Sequence, residues 1–430
     1  MSRNLSRRSL LLGGSAALGL GAVGLSACSG GVGGGGAIRF AWYGGAERQN
    51  AYMELLELFE EEHDDAVVEP EYADYEPYQD RLATQFAAND GPDLFFLAGF
   101  NVLEFETSGI YHDLAEFVPD IIDLSDMDPQ LVEDWHINGQ LTAMPYAYWT
   151  SVIRSNRDFL EEAGMELPDD ETWTWDDFVD LSQEYSDATD DGMWGTAYQA
   201  HADLPFNSFL RQAGQELFTM DGEVGFDADA MGEWMAMWEE MVASGAAMPV
   251  QAQEGVTPDW DLIAPRVMFN PGNANHHAND QPAVDWELDL HLCPTLPDSA
   301  TGHRYLHLVR FAMYEQTNDP ELSAHLMNFL LNSEHVPPLI GQNQGLPTSE
   351  RLQQLARDNA DENGKKVIDI IEREAAMEMR PRPEVPPGAA GWRDMMARAI
   401  EAISIEGASI QSESERFVND LTAEVDRAAG

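Results

Sequence analysis

The sequence has 430 residues, 44 % of them hydrophobic, and carries 77 acidic side chains against 23 basic ones, for a net charge of −54. This length and apolar content predict two or three globular domains. The scarcity of basic side chains excludes a nucleic-acid-binding protein, because nothing is available to follow a phosphate backbone.

The first 36 residues predict export from the cytoplasm. Arg7 and Arg8 precede a short apolar run at residues 10–25 that is diluted with Gly and Ala. A membrane-spanning helix needs about 20 strongly apolar residues, so this run is typical of a signal segment. The arginine pair resembles a twin-arginine signal. The stretch ending in Cys28 resembles a lipoprotein box, in which the cysteine is lipidated, and the glycine-rich residues after it predict a flexible tether.

Cysteine usage fits an anchored protein without disulfides. The sequence has two cysteines, Cys28 and Cys293. If Cys28 carries a lipid, Cys293 has no partner and the fold has no disulfide. A Cys28–Cys293 disulfide is the alternative, although a cysteine beside a flexible glycine tether is an unusual position for a stabilising disulfide.

From residue 38 onwards the pattern alternates between strands and helices. Residues 38–42 alternate as a strand, and the helix that follows has apolar side chains at i, i+3, i+4 and i+7. A strand at 66–68, a helix at 77–88 and a buried strand at 94–97 continue the order, which predicts a doubly wound α/β domain. Ligands of such sheets bind beyond the carboxyl ends of the strands, which here are residues 42–45 and 98–101.

A second α/β unit is predicted to begin near residue 150. Thr174 has the position of a helix N-cap, and the apolar side chains after it recur at helical spacing. Further helices are predicted at 230–243, 320–331 and 392–402. The proline-rich residues 380–390 predict a fixed loop.

The order of these landmarks resembles a known family. After the export signal come IRFAWYGGAERQNAYMELLELFEEEH, YEPYQDRLATQFAANDGPDLFFL and GIYHDLAEF. NGQLTAMPYAYWTSVIRSNRDFLEEAGMELPDDETWTWDDF follows, and later DPELSAHLMNFLLNSEHV and QGLPTSERL. This order is similar to the extracellular solute-binding proteins of family 1, the receptors of carbohydrate-importing ABC transporters. Residues 138–178 are its most specific part.

The resemblance implies a type II periplasmic-binding-protein fold, similar to maltose-binding protein, with two α/β lobes joined at a hinge. Lobe I is expected to contain residues 37–147 and 308–348, and lobe II residues 148–307 and 349–430. The implied function is high-affinity capture of a sugar or oligosaccharide by lobe closure, followed by delivery to an ABC importer. The protein would act as a monomer on the extracellular face of the cytoplasmic membrane, anchored through Cys28, with transporter permease subunits as partners and without a cofactor.

Candidate ligand-binding residues follow from the chemistry of sugars, which offer flat C–H faces and a rim of hydroxyls. Such a ligand needs aromatic rings and planar polar groups, and unpaired buried partners reject analogues that lack a hydroxyl. Trp42 and Tyr43 end the first strand beside Gly44, where a ligand can approach the backbone. For each aromatic residue, a place in the core is the alternative. The other candidates match the cleft segments of the family: Tyr78, Asn101, Tyr146, Tyr148, Trp149, Trp194, Tyr198, Asn270, Gly272, Asn273 and Trp392.

Glu47 and Arg48 begin the first helix, after two glycines. Because a helix N-terminus attracts anions, a uronate or a sugar phosphate could bind there. The alternative is an exposed ion pair of little consequence.

Two other classes of function remain as alternatives. A binding protein for a non-sugar solute could take a sugar phosphate, a polyol or a metal. A metal would use His276 and His277 with neighbouring polar residues, or His201 with Asp203, but no CxxC or HExxH spacing accompanies them. A secreted glycoside-active enzyme would need two carboxylates across a bond, and so many acids make any pair uninformative. The sequence contains no nucleophile elbow, phosphate loop or dinucleotide motif.

The acidic surface predicts dependence on salt, as in proteins of salt-loving microbes. Mutual repulsion destabilises a compact, highly charged chain, and in molar salt the screening length falls to about 3 Å. We expect the purified protein to lose its circular-dichroism signal of structure when salt is lowered from molar to millimolar concentration. A melting temperature that does not change with salt would contradict this prediction.

Overall fold

The computed structural model describes residues 37–97, 102–133, 135–137, 139–189, 192–253 and 266–430. Helices packed on two large sheets make up this part of the chain, which confirms the predicted α/β class. The strands are β1 (Ile38–Tyr43), β2 (Val68–Ala73), β3 (Leu94–Phe96), β4 (His136–Ile137), β5 (Gln140–Leu141), β6 (Met144–Trp149), β7 (Ser151–Asn156), β8 (Trp194–Ala197), β9 (Ala247–Met248), β10 (Val267–Asn273), β11 (Leu288–Leu292), β12 (His307–Met313) and β13 (Leu346–Pro347). The helices are α1 (Ala46–Glu62), α2 (Tyr75–Ala87), α3 (Val102–Thr107), α4 (Pro129–Glu133), α5 (Arg157–Ala163), α6 (Trp175–Ala188), α7 (Asp203–Gln212), α8 (Ala228–Ser244), α9 (His277–Asp280), α10 (Pro320–Asn332), α11 (Val336–Ile340), α12 (Glu350–Asn359), α13 (Glu362–Ala375), α14 (Trp392–Ser404) and α15 (Ile410–Ala429).

The first sheet has the strand order β13-β6-β12-β3-β1-β2. β1 is parallel to both of its neighbours, with Ile38 opposite Val68 and Phe40 opposite Leu94. β12 runs antiparallel to β3 and β6, and β13 runs antiparallel to β6. A parallel unit from the start of the chain is therefore completed by strands from much later in the sequence.

Amphipathic helices cover this sheet. α1 follows Gly45 and buries Tyr52, Leu55 and Phe59, as the apolar spacing predicts. The strand predicted at residues 66–68 lies instead at β2, which alternates exposed and partly buried residues. An edge strand needs no continuous apolar run, which explains the displacement.

The second sheet has the strand order β11-β7-β10-β8-β9. β7 is antiparallel to β10 and β11, whereas β8 is parallel to β10 and β9. The predicted cap of α6 is confirmed by two reciprocal hydrogen bonds. The Asp177 backbone N–H donates to the Thr174 hydroxyl at 3.1 Å, and the Thr174 backbone N–H donates to the Asp177 carboxylate at 2.8 Å. The core on this sheet is rich in tryptophan: Trp173, Trp175, Trp234, Trp238 and Trp392.

The chain crosses between the sheets at short connections. β6 and β7 are separated by Thr150 alone, so the chain passes directly from the first sheet into the second. Residues 293–306 lead back from β11 to β12, and the chain leaves the first sheet again after β13. We call the first sheet with α1, α2 and α10 lobe I. The second sheet with α6, α8, α13, α14 and α15 is lobe II, and the exact residues of the lobe boundaries stay a prediction.

Residues 376–391 belong to lobe II. The backbone N–H of Arg380 donates to the Gly302 carbonyl at 2.8 Å, and Val385 and Ala389 lie in the core of that lobe. As predicted, this proline-rich stretch is neither helix nor strand. None of the helices in the described ranges combines the length and the apolar character needed to cross a membrane.

A buried ion pair ties β10 and β7 to α9. Arg154 on β7 pairs with Asp280 at the end of α9, and both side chains are almost fully enclosed. A Cβ at Gly272 on β10 would lie 2.7 Å from Arg154 Nη2. The glycine therefore makes room for the guanidinium group.

We expect Asp280→Asn to lower the free energy of unfolding by about 3–5 kcal/mol, because the enclosed guanidinium loses its carboxylate. Asp285→Asn, at an exposed position nearby, is the matched control and should change it by less than about 0.5 kcal/mol. Denaturant unfolding in high salt measures both, and equal effects would contradict the prediction.

Candidate binding cleft

Aromatic and cationic side chains from both lobes meet at the start of β12. His307, the first residue of this strand, is 5 % exposed. It pairs with Trp149 across the β6–β12 ladder, and the two rings stack with centroids 4.2 Å apart. Tyr305 lies edge-on to the same imidazole at 4.7 Å. The strands β6 and β12 thus place an aromatic cluster where the chain passes between the sheets.

Three guanidinium groups lie close enough to this cluster for their charges to act on His307. Arg382 Nη1 donates to His307 Nδ1 at 2.9 Å, and the same guanidinium lies 5.2 Å from the Tyr305 ring centroid. Arg310 on β12 pairs with Glu384 at 2.9 Å. Burial, together with the charges of Arg382, Arg393 and Arg310, holds the pKa of His307 well below its ordinary value. The imidazole is therefore neutral at physiological pH.

Lobe I reaches the same place through Tyr43 and Tyr75. Their rings are 5.1 Å apart, with Tyr43 at the carboxyl end of β1 and Tyr75 at the start of α2. Burial raises the pKa of Tyr75, although the charge of Arg393 from lobe II acts in the opposite direction. Arg393 also forms an ion pair with Asp203 at the start of α7. The cleft is therefore lined by tyrosines on one side and ion-paired arginines on the other.

A second contact between the lobes passes through Asn343. Arg48 Nε donates to the Asn343 side-chain oxygen at 2.6 Å and Arg48 Nη2 to its backbone oxygen at 2.7 Å. Asn343 in turn donates to Asn279 at 3.0 Å, and Asn275 donates to the Asn343 carbonyl at 3.0 Å. Arg48 is thus engaged in holding the turn after α11, and Glu47 is exposed beside it. The expected anion site at the start of α1 therefore has its guanidinium already occupied.

Several predicted ligand-binding aromatics lie inside the two cores instead. The Tyr78 hydroxyl donates to the Phe96 carbonyl at 2.8 Å, and that of Tyr198 donates to Glu239 at 2.7 Å. For these aromatic residues the structure shows the core position that the sequence left open as the alternative, and their role in ligand binding stays a prediction. All of the following are at most 5 % exposed: Trp42, Tyr78, Tyr146, Tyr198 and Trp392.

The predicted polar and glycine candidates are distributed between two lobes. Asn270 is enclosed and accepts from Gln199 at 3.0 Å, and Gly272 makes room for Arg154. Asn273, at the end of β10, lies 3.4 Å from His276. Gly44 has φ +136°, and a Cβ there would lie 2.7 Å from Arg48 Cδ, so its small size serves the Arg48 side chain.

The remaining candidates keep partial exposure. Tyr43 and Trp149 are partly exposed and lie at the cleft. The Tyr148 hydroxyl accepts from Gln353 at 2.8 Å, and Trp194 lies beneath Arg266 at 5.3 Å on β8. Asn101 and Cys28 lie outside the described residues.

The sequence reasoning missed His307 and three of the residues that the structure places around it. His307, Arg310, Arg382 and Arg393 were not among the candidates. A usable signal was present, because the fixed loop RPRP at 380–383 holds two of only 23 basic residues. Within the described ranges, no group of three His, Cys, Asp or Glu side chains could hold a metal ion. His277 is enclosed, and burial and the charge of Lys366 lower its pKa to about 4.

Residues 45–274 match the family model of the bacterial extracellular solute-binding proteins. The chain belongs to this family. Among curated proteins, this solute-binding protein is 27 % identical over 149 residues to an uncharacterized ABC transporter extracellular-binding protein of Pyrococcus horikoshii. That match covers 33 % of this chain and 32 % of the relative, so the chain spans about a third or less of the curated relatives it matches.

Solved structures share the fold of this solute-binding protein over nearly the whole chain. A periplasmic oligogalacturonide binding protein from Yersinia enterocolitica, in complex with saturated digalacturonic acid, has a TM-score of 0.80 at 19 % identity, covering 92 % of this chain and 100 % of that one. An ABC substrate-binding protein from Listeria monocytogenes in complex with cycloalternan has a TM-score of 0.76 at 18 % identity, covering 90 % and 98 %. The expected two-lobed periplasmic-binding-protein fold is confirmed by these similarities.

Proposed function

We propose that the protein captures a sugar or oligosaccharide outside the cell by closing its two lobes and then delivers it to an ABC importer. The observation that carries the proposal is the meeting of Trp149 and His307 from lobe I with Arg382 and Arg393 from lobe II. A sugar can use both kinds of group, because aromatic rings pack on its C–H faces and guanidinium groups donate to its hydroxyls.

Closure follows from this division of the site. A ligand shifts an equilibrium between conformations only by as much as it binds one of them better. A saccharide that contacts side chains of both lobes binds the closed form better than the open one. The importer would then distinguish loaded from empty protein by the relative position of the lobes.

The remaining elements of the proposal concern place and ligand class. Relatives of the same fold were solved with digalacturonic acid and cycloalternan, which supports a saccharide here. Export followed by lipidation of Cys28 would hold the protein, as a monomer, on the extracellular face of the membrane beside the permease subunits. Tyr43 and Trp149 are the predicted ligand-binding residues that best fit the cleft.

The test is a binding screen in high salt against neutral and acidic mono- and oligosaccharides. We expect at least one saccharide to raise the melting temperature, since a ligand at 100 times its Kd stabilises by about 2.7 kcal/mol. Trp149→Ala should weaken that ligand about tenfold or more, a loss of about 1.4 kcal/mol. Trp286→Ala is the matched control. Trp286 lies just before the start of β11, whose first residue pairs with Asn156 at the end of β7 farthest from the crossing at Thr150.

Two outcomes would contradict the proposal. One is the absence of stabilisation by every saccharide, and the other is an equal loss of affinity in the Trp149 and Trp286 variants. Chromatography of the ligand after incubation separates a receptor from a glycoside-active enzyme. We expect the saccharide to be recovered unchanged.

A further inference from the structure

Positive charge is scarce in this protein, yet three guanidinium groups lie near one imidazole in the cleft. The chain has 23 Lys and Arg side chains against 77 Asp and Glu, yet three arginines act on the single imidazole of His307. Gathering like charges around a buried group is costly unless something of opposite charge compensates them. The ion-pair partners of each guanidinium therefore show which positive charge has no negative charge beside it.

Two of the three guanidinium groups are compensated within the protein. Arg310 is paired with Glu384, and Arg393 is paired with Asp203. Arg382 makes no ion pair with any carboxylate of the described residues. Its contacts are the lone pair of His307 Nδ1 and the face of the Tyr305 ring. The cleft therefore contains one positive charge that the protein leaves uncompensated.

The imidazole of His307 adds a donor that also lacks a partner. A guanidinium group can only donate, so Nδ1 of His307 must accept from Arg382 and its proton lies on Nε2. Nε2 is buried and has no hydrogen-bond partner in the described part of the chain. Native proteins rarely leave a buried N–H without an acceptor.

Arg382 is held at this position by the chain around it. It lies between Pro381 and Pro383, whose rings fix the backbone angle φ, and it is exposed while His307 is enclosed. The preceding Arg380 donates through its backbone N–H to Gly302 at 2.8 Å. The backbone that carries the Arg382 side chain is thus fixed beside His307.

We infer that the cleft takes an acidic saccharide, a uronate, whose carboxylate is received by the Arg382 guanidinium, while the Nε2–H of His307, on the other edge of the imidazole, donates to a different oxygen of the same ligand. This inference rests on the proposed capture of a saccharide and adds the charge of its ligand. A carboxylate matches the planar fork of arginine. Its single charge equals the one uncompensated charge of the cleft, whereas a phosphate monoester carries nearly two.

The experiment compares acids with their neutral counterparts by calorimetry on the purified protein, at one high salt concentration throughout. The pairs are galacturonate with galactose, glucuronate with glucose, and digalacturonate with galactobiose, and glucose 6-phosphate is a separate arm. We expect at least one uronate to bind more than thirtyfold tighter than its neutral counterpart. Arg382→Gln should weaken the binding of that uronate tenfold to a hundredfold and the binding of its neutral counterpart much less, so that the preference for the acid falls at least tenfold.

Control variants separate charge recognition from folding. Arg427→Gln removes an exposed arginine at the end of α15 and should leave uronate affinity unchanged. His307→Phe keeps a ring for Trp149 to stack on but removes the donor, and should also weaken the uronate. Arg382→Lys keeps the positive charge but loses the planar fork of the guanidinium. Its affinity for the uronate should lie between those of Arg382→Gln and the unaltered protein. Melting temperatures of all variants establish that each is folded.

The outcomes distinguish this inference from the function on which it rests. Neutral saccharides that bind as tightly as uronates would overturn the inference and leave the proposed function standing. A uronate affinity unaffected by Arg382→Gln would overturn the assigned site. Binding of glucose 6-phosphate that is tighter than that of every uronate would overturn the assignment of a carboxylate as the acidic group. If no member of any pair binds, the proposed function fails and this inference fails with it.

Discussion

The antiparallel pairing of β6 with β12 is the interaction on which the rest of the structure depends. It joins β6 and β13 to the rest of the sheet of lobe I. From β6 the chain continues through Thr150 directly into β7 in the sheet of lobe II. The same pairing sets Trp149 opposite His307, so one ladder supplies both the connection between the lobes and the aromatic centre of the cleft. A movement of one lobe against the other must therefore alter the surroundings of that aromatic pair.

The sign of the predominant charge differs between the surface of this molecule and its cleft. The surface carries an excess of acids that only salt can screen, whereas the cleft gathers guanidinium groups and pairs most of them singly with acids. Such pairs gain strength when the cleft closes, because water is excluded and the local dielectric falls. The acidic surface repels anions at long range, so the arginines have to act at short range, between the closed lobes.

Local patterns were sufficient to predict much of the fold. The alternation of β1, the apolar stripe of α1 and the Thr174 cap depend on neighbouring residues, and all three are present. α15 was not predicted, because its apolar stripe of Phe417, Leu421 and Val425 is diluted by acids. The cleft could not be read in the same way. His307 and Arg382 are 75 positions apart and meet only through the fold. For Trp42 the sequence left open a ligand-binding position or a place in the core, and the structure shows it buried in the core.

The most direct test of the account is a crystal structure of the protein with a saccharide that binds it. The account predicts electron density for the sugar between the two sheets, in contact with Trp149 or His307 on the side of lobe I and with Arg382 or Arg393 on the side of lobe II. A sugar bound to one lobe alone, or at a surface away from the β6–β12 ladder, would contradict it.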